Sequence, residues 1–142
     1  MKCKIFVDKN KDEEVLIYTH EINGHVEEIK RVVTQEIELV GYKNEEIKKI
    51  DLSDVTCFII EGGKTYAYLK KDKFLIKLRL FQIEEIINES FVKINQSCIA
   101  NIKQIKKFEA TLGGSLLVKF NNGYSDYISR RQLKNVKERI GL

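Results

Sequence analysis

The sequence predicts a mainly β (α+β overall) protein: antiparallel β-sheets with a short inserted helix and a C-terminal helix, preceded by a small β-β-α unit. Two observations carry that prediction. Apolar and polar residues alternate through many short segments, as in Ile76-Lys77-Leu78-Arg79-Leu80, which is the two-residue period of a sheet with one wet face. Between the segments stand polar turns, "GGK", "KKDK", "LGGS" and "NNG", several with glycine or asparagine for positive φ.

Taken in order, "KCKIFV" places Cys3, Ile5 and Val7 on one side, and "EVLIYT" is rich in β-branched and aromatic residues. The polar "DKNKDE" between them reads as a hairpin loop. A helix follows, with Asn23 as N-cap, Glu27 and Glu28 in the first turn, and Ile22, Val26, Ile29 and Val33 at helical spacing. Residues 1–36 therefore form the β-β-α unit. From residue 37 the texture changes to short strands: "IELVGY", "EEIKKI", "VTCFIIE", "TYAYLK", "FLIKLRL", "FVKI", "IKKFEA", "SLLVKF" and "YSDYI". "FQIEEIIN" is a helix of two turns among them, with Ile83, Ile86 and Ile87 inward. The last helix spans 130–140, capped by Ser129 with Gln132 in a capping box and with Leu133, Val136 and Ile140 as its buried stripe.

A chain of 142 residues is long enough to bury roughly 68–70% of its unfolded surface, so it needs no covalent staples. Its cysteines, Cys3, Cys57 and Cys98, are odd in number and far apart, which argues against a disulfide framework or zinc site and for a reducing cytoplasm. No apolar run approaches the length of a membrane span, and no signal peptide opens the chain. The net charge of +4 is unevenly spread: residues 93–142 hold 10 Lys+Arg against 3 Asp+Glu. A basic third of this kind marks a polyanion-binding surface. No metal cluster, triad or complete phosphate motif emerges, so neither an enzyme nor a cofactor is expected. Gly63-Lys64-Thr65 ends like a phosphate-binding loop, but Phe58 occupies the required first glycine.

"FVKINQSCIANI", with Phe91, Ser97 and Asn101, resembles the most specific stretch of the LytTR DNA-binding domain, the output domain of LytR/AlgR-type bacterial transcription regulators. "DYISRRQLKNV" resembles that family's closing serine-arginine pattern before the last helix, and "DLSDVTCFIIEGGKTYAYL" its opening strand and tight loop. Cys98 and Gln96 depart from the usual residues. The resemblance covers residues 37–142 and implies a stand-alone form without a receiver domain, acting on double-stranded promoter DNA as a homodimer. For residues 1–36 it implies dimerisation or partner binding. The alternative function is a protein-interaction module whose N-terminal unit binds a partner such as a membrane-protein inhibitor.

The resemblance further implies that loops, not a recognition helix, enter the DNA grooves. In "EGGKTY", Gly63 lets the backbone approach a phosphate while Lys64 and Tyr66 reach out. In "KINQS", Lys93 neutralises a phosphate, and Gln96 and Ser97 offer hydrogen bonds to a base edge or the backbone. Asn101 lies beyond that loop and is expected to satisfy backbone groups instead. In "SRRQ", Arg130 and Arg131 sit in a first helical turn where they oppose the macrodipole, an arrangement that asks for an anion. Arg131 is the candidate for base readout, with Ser129, Arg130 and Gln132 beside it.

Overall fold

The computed structural model describes residues 1–34 and 38–142, which divide into two units, Met1–Glu36 and Ile37–Leu142. In the first unit the helix α1 (Gly24–Thr34) stands where the spacing predicts it. Asn23 caps it: its Oδ1 accepts from the N–H groups of His25 and Val26, both at 3.1 Å. The two strands expected ahead of α1 are not formed among the described residues. Among the described residues, the only backbone hydrogen bond that residues 1–22 make is a turn, Lys11 N–H to Asp8 C=O at 3.4 Å, at the position expected for the loop. A lone hairpin is marginal unless its apolar face is covered, and here Ile5, Phe6 and Val7 are 85%, 85% and 90% exposed.

The second unit runs β1 (Leu39–Lys43), β2 (Glu46–Ile50), β3 (Val55–Glu61), β4 (Lys64–Leu69), β5 (Asp72–Ile76), α2 (Leu80–Ile86), β6 (Phe91–Asn95), β7 (Cys98–Asn101), β8 (Ile105–Ala110), β9 (Leu116–Phe120), β10 (Ser125–Tyr127) and α3 (Arg130–Ile140). Seven strands make one antiparallel sheet in the order β2-β1-β5-β4-β3-β7-β6; the other three make a second, β10-β9-β8. Turn chemistry sets the hairpins. Glu61 pairs with Lys64 across Gly62 and Gly63, whose φ values of 60° and 75° are those of a two-residue turn that favours glycine at both positions.

The large sheet is covered on both faces. On one, Phe58, Ala67, Phe74, Ile76 and Ile99 pack with Leu80 and Ile83 of α2. On the other, Cys57, Ile59, Val92, Ile94 and Cys98 pack with Val118 and Phe120 of β9 and Val136 of α3. Strand β3 therefore buries successive residues on opposite sides, which is why Val55–Ile59, Thr56 included, are all buried and show no alternation.

Three local expectations are corrected. Strand β7 was not anticipated, because all four of its residues are buried and no alternation marks it. "FLIKLRL" stops as a strand at Ile76: Arg79 N–H donates to Gln82 Oε1 at 2.9 Å and Leu80 already begins α2. The capping box on α3 is half made. Ser129 Oγ accepts from Gln132 N–H at 3.3 Å, but the Ser129 N–H donates to Ile94 C=O at 2.8 Å. The other end of α3 is tied to β6 by the Arg139 guanidinium, which donates to the carbonyls of Phe91, at 3.0 Å, and Glu89.

Candidate nucleic-acid interface

Hydrogen bonds between loops gather three of the predicted segments at one end of the larger unit. Ile60 N–H donates to Ser97 C=O at 2.9 Å, which sets the β6–β7 turn beside the end of β3 and its Gly62-Gly63 tip. Asn95 Nδ2 donates to Tyr127 C=O at 2.8 Å, and with the Ser129–Ile94 bond this joins the same turn to the start of α3. Lys64 at the start of β4, Gln96 in the β6–β7 turn and Arg131 in the first turn of α3 thus stand at the same end of the unit. The opposite end holds the turns after β1, β4 and β9, where Asn122 Nδ2 donates to Lys70 C=O at 2.6 Å.

The polar residues of "KINQSCIAN" separate into two groups. Asn101 is buried, donating through Nδ2 to Val55 C=O at 2.8 Å and accepting from Lys103 N–H at 3.1 Å. It satisfies the backbone, as expected. Asn95 is occupied at both ends, since its Oδ1 also accepts from Ser97 N–H at 2.8 Å. Gln96 and Ser97 are exposed, and neither side chain makes a hydrogen bond among the described residues. Their donors and acceptors are open to a ligand.

The charges separate in the same way. Lys64, Arg130 and Arg131 are exposed and form no ion pair among the described residues. Arg130 and Arg131 occupy the first turn of α3, where the positive end of the helix dipole disfavours them without an anion. Lys93 lies apart from the tips: its side chain is half-buried, with Nζ 3.7 Å from Glu84 of α2. Tyr66 is set back along β4, with Lys73 Nζ 5.6 Å from its ring centroid. Ser129 and Gln132 are half-buried and shape the helix entry through the cap. Within the basic third, Lys107 and Lys119 share Glu109 at 3.0 and 3.1 Å, and their hydrogen bonds hold its carboxyl below the ordinary value of 4.5.

Two further segments, which the sequence marks only as a turn and a strand, stand at this end. The Thr111–Ser115 turn is brought beside the start of α3 by Ile128 N–H donating to Leu116 C=O at 2.9 Å, and its Leu112 is fully exposed. Lys77 follows Ile76, which pairs with Thr65, so it neighbours Lys64, and its Nζ lies 4.3 Å from the Tyr42 ring centroid. "LGGS" signals a turn in sequence, but nothing local tells which end of the sheet it faces.

The family model for the LytTr DNA-binding domain matches residues 45–141. The chain belongs to the LytTR DNA-binding domain family. It is 32% identical over 146 residues to an uncharacterized HTH-type transcriptional regulator of Staphylococcus aureus strain N315, covering 100% of this chain and 99% of the relative. The counterpart in strain Mu50 gives the same values. Among solved structures, the LytTr DNA-binding domain of a Bacillus cereus methyl-accepting/DNA response regulator superposes with a TM-score of 0.69 at 19% identity, over 74% of this chain and 97% of that one. In this chain α2 leads into β6, so no helix-turn-helix pair is formed among the described residues of the DNA-binding domain.

Proposed function

We propose that this protein is a sequence-specific transcription regulator that binds double-stranded promoter DNA through the loops at one end of its β domain, in the cytoplasm and as a pair of copies on repeated half-sites. The observation that carries the reading is that the start of β4, the β6–β7 turn and the start of α3 bring Lys64, Gln96 and Arg131 to one end of the domain, with neither cation in an ion pair and the amide without a hydrogen bond among the described residues. Membership of a DNA-binding family and full-length similarity to proteins named as transcriptional regulators support it.

Roles follow from chemistry. Arg131 presents a planar fork suited to guanine O6 and N7, and Gln96 an amide suited to adenine N6 and N7. Lys64, Arg130, Ser97 and the open backbone at Gly63 serve phosphates and set the register. Ser129 and Gln132 hold the helix entry in place. Lys93, paired with Glu84, contributes to the field more than to a contact.

The test is selection of bound duplexes from a random library, followed by titration of the selected site against random DNA. Arg131→Ala is expected to weaken specific binding by about 1–3 kcal/mol and to relax one position of the site. Lys64→Ala should instead weaken both DNAs alike and lower the salt slope, which is about −0.9 per phosphate engaged. Equal losses on selected and random DNA from both substitutions would rule out these roles.

A further inference from the structure

We infer that a second copy of this chain supplies the strand partner that residues 2–8 lack: Lys2–Asp8 pairs antiparallel with the same segment of the other copy, about a two-fold axis at Ile5. The inference rests on the reading that the protein acts as a pair of copies, and it names the surface that joins them.

The first support is backbone chemistry. Residues 2–7 and 14–19 are rich in strand formers, yet they join no ladder among the described residues. Among the described residues, the Asp8–Lys11 turn is the only backbone hydrogen bond that residues 1–22 make. Backbone of this composition without a strand partner is a template for another strand. The second support is apolar surface. Val26 is the one buried residue among the described residues of the unit, while Phe6, Val7 and Tyr18 are 85%, 90% and 90% exposed. A segment this short has no core of its own and needs a partner to acquire one.

The third support is charge, and it selects the occupant. With Ile5 on the axis, each residue faces the one equally distant on the other side. Lys2 then meets the partner's Asp8 at both ends of the ribbon, and Cys3 meets the partner's Val7. Asp8 Oδ1 is engaged by Asn10 N–H at 3.0 Å, which leaves the second carboxylate oxygen for the lysine. Paired residues are separated by an even number of positions, so Cys3, Ile5 and Val7 of both copies fall on one face. Unlike charges directly across a strand pair stabilise it, and the pairing uses the whole segment up to the turn.

The test uses the full chain with Cys3→Ser; Cys57 and Cys98 are buried and do not interfere. Ile5→Cys in this background should give a covalent dimer under mild oxidation, because the new thiol faces itself across the axis. Val15→Cys should not. In sedimentation the unmodified chain should be a dimer. Asp8→Lys should weaken it on the order of tenfold, and Lys2→Asp together with Asp8→Lys should restore it. A monomer at every concentration tested, cross-linking at Phe6→Cys in place of Ile5→Cys, or no rescue by the double swap would overturn the proposal. A chain that fails these tests yet selects a DNA site leaves the DNA reading standing. One that dimerises as described but selects no site overturns only the DNA reading.

Discussion

Asn101 and Gln96 lie five positions apart and carry the same side-chain amide, yet their surroundings give them opposite tasks. Asn101 is 2% exposed and bridges Val55 C=O and Lys103 N–H, so it joins the start of β3 to the turn after β7. Asn101→Ala would leave a buried carbonyl and an N–H unpaired. It should destabilise the protein by about 1–3 kcal/mol in urea unfolding, while DNA affinity per folded molecule stays unchanged. Gln96→Ala should do the reverse, with stability unmoved and site preference altered. Cys98 illustrates the same dependence on surroundings. A hydrogen bond with Cys57 and burial push its thiol well above the ordinary value, so it is a core residue without nucleophilic character. The tasks of these residues could be guessed from position in the chain only where, as at Asn101, core-like residues follow.

Among the elements, hairpins with special turn residues were the most legible, because positive φ is a local demand that glycine answers locally. The Gly62-Gly63 turn and the strands on either side of it fall where "VTCFIIEGGKTYAYLK" places them. Strand β7 was hidden because its preceding turn, Gln96-Ser97, contains no glycine and the strand itself is buried throughout. Gly41 in β1 shows a constraint that no turn signal conveys. A Cβ there would come within 2.7 Å of Phe74 Cβ and would also meet Ile50. Gly41→Ala should therefore cost about 1–3 kcal/mol, read as a lower denaturation midpoint with an unchanged m-value. Residues 2–7 and 14–19 show the converse: the β-forming composition is plain, but no strand forms there among the described residues, because pairing depends on a neighbour that composition does not name.

At the scale of the whole molecule, the LytTR domain and the N-terminal unit are separable in kind. The Bacillus cereus structure matches 74% of this chain and is almost wholly covered, whereas the Staphylococcus aureus relatives match from end to end. A chain beginning at Glu38 should accordingly fold, bind a single half-site and keep the salt slope of one copy, while losing tight binding to paired half-sites. Fluorescence anisotropy on single and paired sites across salt measures this. Unfolding of the shortened chain would show that residues 1–37 belong to the domain's core. The sequence alone determined the strand-rich character, the turns, both flanking helices, the basic third and the family resemblance, since these depend on neighbours a few positions away. Tertiary structure decided which loops share an end. That arrangement depends on bonds such as Asn95 to Tyr127, 32 residues apart, and on a strand order that puts β7 between β3 and β6, neither of which leaves a local trace.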